Sequence, residues 1–462
     1  MKELLSRLLC LLIFLPLEGI GQNFFPGVED HPAVRHALVG ISVKRVTDGH
    51  EVYSRDADLS LRPASVTKLI PTVLALKERG KDFVFVTRVA MRGKLEQGIL
   101  HGDIIVHAGG DPALDSRYFP SVRFLRDVVE KIRVAGIREI KGRIRVEHEG
   151  GETLIPGSWL WEDVANYYGA VYHPFNYRDN LYTLSFCSGK IGTPATLLKE
   201  DPVQPGVRFE NHVLAAAGDA DNVWIYGGPD ARVLQVRGSM PAHREIFRVK
   251  GATHHPDRVF VAELQQYLAS CGILVKDSLV ANSGKEVLLL EHVSPTLSEI
   301  VFFTNKRSIN LFAEALGKIT FPDDWETKVK QSLTEMGIGT EGILLKDACG
   351  LSLFNLLPAT TFTDLLLWAY SNLGSSFVRS LPLAGKDGGL SVYARAEELL
   401  DNLQAKTGSM TGVRALAGYL KAADGETYAF TVIVNNYTCK SFEIQKFIRE
   451  FLVWGYHNWP QK

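Results

Sequence analysis

The chain has 462 residues, of which 46% are hydrophobic and 22% are charged, and its formal net charge at pH 7 is -1. This composition is ordinary for a soluble globular protein, and the length suggests roughly three domains. The near-zero net charge excludes a global basic field, so nothing in the composition indicates a nucleic acid or an acidic membrane as a partner.

Residues 1–21 have the layout of a secretory signal peptide. Lys2 and Arg7 precede an apolar stretch over residues 8–17, and the small residue Gly21 follows. The apolar stretch is too short to span a bilayer, and cleavage near Gly21 is expected; a buried core helix is the alternative. We therefore expect an exported, periplasmic protein whose mature chain has no transmembrane segment.

The two ends of the chain are predicted to contribute strands to one sheet. Residues 37–56 alternate apolar and polar positions around a turn at Asp48-Gly49, and residues 412–436 do so around Asp424-Gly425. Both patterns are typical of β-hairpins. An amphipathic helix follows at residues 441–456. The apolar residues at helical spacing in that helix are Phe442, Ile444, Phe447 and Phe451.

The middle of the chain differs in pattern. Residues 85–258 are rich in Gly, Pro and short β-like runs, with one clear amphipathic helix at residues 121–136. We expect this region to be an insertion that forms one or two small accessory domains. Residues 22–84 and 259–462, where helical patterning returns, are expected to form the main α+β domain closed by the two chain ends.

The stretch RPASVTKLIPTVLAL, residues 62–76, carries the first chemical signal. Ser65 follows a proline-marked turn and precedes an apolar run, so it could be a helix N-cap. Lys68 lies one helical turn later on the same face. A neutral amine at that spacing can take the proton of a serine hydroxyl and make it a nucleophile. The two roles are compatible.

Two later stretches favour the catalytic interpretation. TNKRSINLFAEALGK places Ser308 and Asn310 at a turn that leads into a helix, and QAKTGSMTG places Lys406-Thr407-Gly408 at the start of a probable edge strand. Each stretch alone is typical of caps and turns. The ordered set S-x-x-K, S-x-N and K-T-G is the active-site signature of serine acyltransferases that react with penicillin.

In this interpretation Ser65 attacks a peptide carbonyl and forms an acyl-enzyme. Lys68 must be neutral to accept the Ser65 proton, and both burial and the Lys406 cation lower the pKa of Lys68. Ser308 relays a proton towards the leaving amine, and Asn310 holds the amide of the substrate.

The K-T-G strand is expected to bind the substrate backbone. Lys406 and Thr407 supply a cation and a hydroxyl for a terminal carboxylate. Gly408 lets the substrate lie against the strand. The backbone N–H groups of Ser65 and Ser409 are expected to form an oxyanion hole.

Four further stretches make the likeness more specific, and it covers nearly all of the mature sequence. They are LHGDIIVHAGGDPALDS, similar to G-D-L…G-G-D-P; PGSWLWEDVANYYGAVYHPFNYRDN, similar to W-x-W-x-D…Y-G-A; KDACGLSLFNLLPAT, similar to D-G-S-G-L-S-R-x-N; and SLPLAGKDGGL, similar to S-L-P-x-A-G-x-D-G-T-L. The chain resembles the D-alanyl-D-alanine carboxypeptidases/endopeptidases of the low-molecular-mass class C penicillin-binding proteins.

The resemblance implies an α+β fold, in which a β-lactamase/transpeptidase-like domain, an antiparallel sheet with helices on both sides, carries a large inserted β-rich region. It implies a serine-type D-Ala-D-Ala carboxypeptidase, a DD-endopeptidase or both, acting on peptidoglycan stem peptides and crosslinks and acylated by β-lactam antibiotics. It also implies further substrate-binding residues, which are Asp163, Tyr168, Leu351 and Met410. Asp163 would meet the free amine of diaminopimelate; an exposed loop carboxylate is the alternative.

The sequence departs from the family pattern at four positions. Ile309 replaces the Asp of S-D-N, Ala348 replaces a Gly, and Gly389 replaces a Thr. Leu353 replaces the Arg that lines the side-chain pocket in related enzymes, so the preferred substrate side chain stays open. The balance of carboxypeptidase and endopeptidase activity also stays open, because both activities use one site and differ in what fills the leaving-group pocket.

Two other functions are alternatives. A β-lactamase-like hydrolase would need a deacylating water and its base, for which no motif is found, and a non-catalytic cell-wall-binding scaffold would not be expected to keep all three motifs.

No metal or cofactor is expected. GIGTEG from Gly337 follows a helix rather than a strand, the pair His254-His255 lacks a third ligand at zinc spacing, and GDADN near Asp219 lacks the Glu of a calcium loop. The four cysteines outside the signal peptide are widely spaced, and free thiols are favoured over disulfides. They are Cys187, Cys271, Cys349 and Cys439. The sequence does not determine the oligomeric state.

Overall fold

A computed structural model describes Phe25, Val28 and residues 31–148, 155–278 and 284–459. The predicted signal peptide, residues 1–21, lies outside the described residues. In the described part of the chain, no helix is both long enough and apolar enough to cross a membrane. All four cysteines named above are free thiols.

The strands, in chain order, are β1 (Leu38–Arg45), β2 (Glu51–Arg55), β3 (Val86–Glu96), β4 (Ile99–His107), β5 (Glu139–Ile140), β6 (Ile144–Glu147), β7 (Leu181–Cys187), β8 (Thr196–Asp201), β9 (Arg208–Ala216), β10 (Asn222–Tyr226), β11 (Val233–Pro241), β12 (Phe247–Ala252), β13 (Leu274–Val275), β14 (Glu286–Val293), β15 (Leu403–Met410), β16 (Val413–Lys421) and β17 (Thr427–Asn435). The helices are α1 (Leu69–Arg79), α2 (Phe124–Val134), α3 (Trp161–Val164), α4 (Pro256–Ser270), α5 (Leu297–Arg307), α6 (Asn310–Thr320), α7 (Trp325–Glu335), α8 (Ala359–Ser380) and α9 (Ser441–Asn458).

An antiparallel five-stranded sheet of order β15-β16-β17-β1-β2 joins the two ends of the chain. The predicted hairpins β1–β2 and β16–β17 are confirmed, and β15 is an edge strand as expected. Because successive side chains of a strand point to opposite faces, alternate residues of β16 serve two cores. Ala415, Ala417 and Tyr419 pack with α1, α5, α6 and α8, whereas Leu416 and Leu420 pack with α9. Helices therefore cover both faces of the sheet.

Helix α9 confirms the predicted C-terminal helix but not the whole of its predicted apolar face. Ile444, Phe447 and Phe451 are fully buried, whereas the Phe442 side chain is 55% exposed. Phe442 precedes the buried Ile444 by two residues, which is about 200° around the helix, so its side chain lies on the side away from the sheet core. The spacing of apolar residues therefore predicted the helix correctly but placed Phe442 on the wrong face.

The inserted region forms two accessory domains. The first contains a sheet of order β13-β5-β4-β3-β14, with β6 paired to β4, and its core includes α2 and α4. The second contains two three-stranded sheets, β10-β11-β9 and β12-β7-β8, which share one small core. The second accessory domain is inserted within the first, because β7 to β12 lie between β6 and α4 in the chain.

We propose that the second domain boundary lies later in the chain than residue 259. Helix α4 packs through Phe260 and Leu264 into the core of the first accessory domain, and β14 pairs antiparallel with β3. Helical periodicity indicates where a helix lies but not which neighbour it packs against, which is why the sequence assigned α4 to the main domain. We propose that the chain re-enters the main domain near Ser294.

Candidate active site

Ser65 lies in the 3-10 turn Ala64–Lys68, which runs directly into α1. The cap residue of this turn is Pro63 and makes no side-chain capping bond, so the N-cap interpretation of Ser65 is wrong. The Ser65 Oγ instead accepts a hydrogen bond from the Lys68 Nζ at 2.9 Å. A 3-10 turn brings residues three positions apart onto one line, which places the amine beside the hydroxyl.

The Lys68 amine is fully buried. Besides Ser65, it donates to the backbone carbonyl of Cys349 at 2.6 Å. Burial lowers the pKa of Lys68 below its ordinary value, because the charged form loses its hydration. The Cys349 thiol and the carboxyls of Asp347 and Glu314 act in the opposite direction. Burial is the larger effect, so the Lys68 amine next to the Ser65 hydroxyl loses its proton more easily than a solvated lysine does.

Two buried carboxyl groups hold the loop that presents the Cys349 carbonyl. Glu314 Oε1 accepts from the backbone N–H groups of Ala348 and Cys349 at 2.9 and 2.8 Å. Asp347 accepts from the Gly350 backbone N–H at 2.7 Å and from the Trp159 indole at 2.8 Å. Burial raises the pKa of Glu314 to about 7. No motif in the sequence pointed to Glu314; the available signal was a carboxyl one turn after Asn310 in the otherwise apolar stretch 311–317.

Ser308 and Lys406 form the second hydroxyl–amine pair. Ser308 ends α5 in the left-handed region, with φ 56°, and its Oγ accepts from the Lys406 Nζ at 2.8 Å. Lys406 is buried, and burial lowers its pKa well below the ordinary value, with a further contribution from the charge of Lys68. Asn310, the first residue of α6, donates from Nδ2 to the Tyr168 carbonyl at 2.7 Å.

Two glycines allow the Ser65 turn, strand β15 and the 347–352 loop to meet. A Cβ on Gly408 would lie 2.4 Å from the Pro63 carbonyl oxygen, and a Cβ on Gly350, whose φ is +83°, would lie 2.0 Å from that of Ala64. Strand β15 and the 347–352 loop therefore contact the backbone of the turn that carries Ser65. This corrects the physical reason given for Gly408: the space it leaves is filled by the Ser65 turn rather than by a substrate.

A cleft of about 780 Å³ opens over the Ser65 and Ser308 hydroxyls. It is lined by Ser65, Ser308 and Asn310, with Lys68 and Lys406 buried behind them. The predicted substrate-binding residues that also line it are Asp163, Tyr168, Leu351, Ser409 and Met410, together with the divergent positions Ile309 and Leu353. Thr407 and Gly408 lie on β15 but are not among the lining residues.

Several cleft residues were missed by the sequence analysis. Three arginines, Arg62, Arg117 and Arg307, line the cleft, as do Glu162 and Trp224. They come from the main domain and from the insertion, and no local spacing connects them. Within the cleft, Asp163 and Tyr168 are joined by a side-chain hydrogen bond, and burial raises the pKa of Asp163.

Two clusters in the described part of the chain have the composition of metal ligands. Glu314, Asp347 and Cys349 are buried together, and His107, Glu147 and Glu286 meet on the first accessory domain. The carboxylate oxygens of the first cluster already accept backbone hydrogen bonds. In the second, the Arg92 guanidinium pairs with both Glu147 and Glu286. Both clusters are therefore explained by protein partners, and neither fits a metal.

Comparison with known proteins identifies one family over most of the chain. The model of the D-Ala-D-Ala carboxypeptidase 3 (S13) family matches residues 25–454. A D-alanyl-D-alanine carboxypeptidase of Actinomadura sp. (strain R39) is 28% identical over 453 residues, covering 89% of this chain and 80% of the relative. The D-alanyl-D-alanine carboxypeptidase DacB of Haemophilus influenzae is 25% identical over 426 residues, covering 88% and 87%.

Solved structures agree in fold. The crystal structure of penicillin-binding protein 4 (dacB) from Haemophilus influenzae superimposes with a TM-score of 0.77 at 23% identity, covering 91% of this chain and 97% of the other. A predatory peptidoglycan endopeptidase from Bdellovibrio bacteriovorus gives a TM-score of 0.50 at 13% identity, covering 90% and 92%. The expected α+β fold with an inserted region is confirmed.

The raised pKa of Glu314 predicts a pH-dependent stability. The folded chain holds the Glu314 proton more tightly than the unfolded chain, so the free energy of unfolding should fall as pH rises from about 4.5 to about 7, by a total on the order of 3 kcal/mol. Glu314→Gln keeps an acceptor oxygen but cannot ionise. We expect urea unfolding at pH 5, 6 and 7.5 to show a flatter pH profile for this variant.

The matched control is Glu335→Gln, at an exposed position on α7. Its pH profile should follow that of the unmodified chain. Equal pH slopes for Glu314→Gln and the unmodified chain would show that Glu314 does not titrate in this range.

Proposed function

The chain belongs to the D-Ala-D-Ala carboxypeptidase 3 (S13) family and is a serine-type DD-peptidase, and we propose that Ser65 is its nucleophile. The observation that carries this proposal is the 2.9 Å hydrogen bond between the Ser65 hydroxyl and the buried Lys68 amine at the wall of the cleft. Family membership favours the peptidase over both a β-lactamase-like hydrolase and a scaffold without activity.

In the proposed acylation step, the Ser65 Oγ attacks the carbonyl carbon of the penultimate D-Ala. Its proton passes to the neutral Lys68 Nζ as the new C–O bond forms. When the C–N bond breaks, the leaving amine takes the proton of the Ser308 hydroxyl, which Lys406 orients at 2.8 Å. Ser308 regains a proton from Lys68, so Lys68 returns to the neutral amine. Water then hydrolyses the ester, which regenerates the Ser65 hydroxyl and releases the shortened peptide.

The contacts of the two buried lysines support different roles for them in the reaction. Burial lowers the pKa of both amines, and the charge of Lys68 lowers the pKa of Lys406 further. Lys68 donates to the proposed nucleophile, whereas Lys406 donates to Ser308 and the Thr407 carbonyl. Lys68 is therefore the better placed of the two to act as the base, and Lys406 to orient the Ser308 hydroxyl.

We further propose how the substrate is held. The backbone N–H groups of Ser65 and Ser409 stabilise the developing oxyanion, and Asn310 binds the peptide amide. Lys406 and Thr407 attract the terminal carboxylate of the substrate. The carboxylate of Asp163 faces the free amine of a diaminopimelate side chain, which is supported by its place in the cleft and by its hydrogen bond to Tyr168.

The substrates that fit this site are peptidoglycan stem peptides ending in D-Ala-D-Ala and the D-Ala crosslinks between such peptides. β-Lactams would acylate Ser65, since their strained amide imitates the same bond; the Haemophilus influenzae structure has also been determined in complex with a β-lactam. Action on cell-wall peptides requires export, which agrees with the signal-peptide pattern of residues 1–21. Leu351, Leu353 and Met410 would form the apolar wall of the side-chain pocket.

Digestion of purified muropeptides tests the nucleophile. The unmodified chain should release D-Ala from monomeric pentapeptides or split crosslinked dimers, and Ser65→Ala should lower that rate at least about 10³-fold, because removal of a nucleophile abolishes the covalent route. Ser270→Ala, at an exposed serine of α4, is the matched control and should keep the full rate. Equal rates for Ser65→Ala and the control would eliminate Ser65 as nucleophile.

The role of Asp163 predicts a substrate-dependent effect. Asp163→Asn should weaken kcat/KM about tenfold for stem peptides whose diaminopimelate amine is free, because a charge-assisted hydrogen bond is lost. The same peptides with that amine acetylated should be affected much less. A uniform loss on both substrates, measured by D-Ala release, would assign Asp163 a structural role instead.

A further inference from the structure

One face of the second accessory domain presents aromatic rings to solvent. In β10 the buried residues Val223 and Ile225 alternate with Trp224 and Tyr226, which point away from the core. Trp224 is 39% exposed, although a tryptophan of a small domain is ordinarily buried. The alternation therefore directs large apolar rings outward on this sheet. Exposing them to water is unfavourable, and the core of the domain does not need them.

Polar side chains lie directly beside these rings. In the antiparallel pairing of β10 with β11, Trp224 is opposite Arg237 and Tyr226 is opposite Gln235. The Arg237 Nε donates to the Gln235 Oε1 at 3.0 Å, which holds both side chains across the face. On the neighbouring β9, Glu210 is paired with an arginine. The face is thus aromatic and rich in hydrogen-bonding groups, with little net charge.

A third ring comes from α3. Trp161 is 63% exposed, and its ring lies over Gly228, whose Cβ would meet it at 3.7 Å. Together with Tyr226, Gln235 and Arg237, it lines an open depression of about 540 Å³. We call Trp161, Trp224, Tyr226, Gln235 and Arg237 the aromatic platform.

The aromatic platform is continuous with the cleft. Trp224 lines the cleft itself, and α3 contributes to both sites, because Asp163 lines the cleft while Trp161 lines the depression. The Asn166 side chain fixes this arrangement. Its Nδ2 donates to the Ile225 carbonyl, and its Oδ1 accepts from the Ile225 backbone N–H, each at 3.1 Å, which binds the α3 segment to β10.

We propose that the aromatic platform binds the glycan part of the cell-wall substrate, a chain of β-linked N-acetylated amino sugars. A pyranose ring has an apolar C–H face that stacks on aromatic rings, and its hydroxyl and acetamido groups match the donors and acceptors of Gln235, Arg237 and the Tyr226 hydroxyl. The proposal rests on the proposed function, since a stem peptide in the cleft carries its glycan covalently onto the adjacent surface.

The composition of the platform favours a glycan over other occupants. A nucleic acid would require a cluster of cations, whereas Arg237 is the one formal charge among the five platform residues. Protein interfaces are also enriched in aromatic side chains and arginine, so the glycan is favoured over a protein because a stem peptide in the adjacent cleft carries it covalently. A lack of sugar binding in the following test would exclude the glycan and favour a protein partner instead.

Calorimetric titration with a peptide-free tetramer of β-1,4-linked N-acetylglucosamine tests the proposal on the full chain. We expect saturable binding, weakened at least about tenfold in Trp161→Ala and less in Trp161→Phe, because a stacking ring in a binding site often accounts for that much affinity. Arg237→Ala is a second variant, which removes a donor without altering α3, and should also weaken binding. Phe442→Ala, at an exposed aromatic of α9 outside the platform, should bind as the unmodified chain does.

A lack of saturable binding by the unmodified chain, or equal affinity in Trp161→Ala, Arg237→Ala and Phe442→Ala, would overturn the proposal. Thermal unfolding of each variant shows whether its fold is retained. The titration needs no catalytic activity, so a failure of the proposed function would be seen separately, as a lack of muropeptide cleavage by a chain that still binds the tetramer.

Discussion

The structure depends on an amine that is held without water. Lys68 is completely buried, and its Nζ is placed between the Ser65 hydroxyl and the Cys349 carbonyl. A buried ammonium would be costly, so this position favours the neutral amine that a general base requires. The surrounding features follow from that requirement: Glu314 and Asp347 hold the loop that carries the carbonyl, and Gly350 allows the loop to approach the Ser65 turn.

The cleft also depends on the insertion. Segment 159–171 connects the domains, because Trp159 donates to Asp347, Asn310 donates to the Tyr168 carbonyl, and Asn166 is bonded to β10. The main domain supplies Ser65, Ser308 and Asn310 to the cleft, and the insertion supplies Asp163 and Trp224. In the proposed function, recognition of the substrate is thereby separated from the chemistry, although both share one cleft.

Local patterns predicted much of this arrangement. Alternation and Asp-Gly turns identified both terminal hairpins, and three short motifs identified two hydroxyl–amine pairs that the fold brings together. What the sequence could not provide were contacts between distant segments. Glu314 was missed because its partners are backbone groups of another loop, and Gly408 was assigned to the substrate rather than to the Pro63 carbonyl. Periodicity also did not show that α4 packs against the core that contains β3 and β4.

Mass spectrometry of the penicillin-treated chain tests the central claim most directly. If the Ser65 hydroxyl is activated by Lys68, the intact protein should gain the mass of one penicillin, and peptide mapping should place the adduct on Ser65. An adduct on Ser308 or another residue, or an unmodified chain after prolonged exposure, would contradict the account.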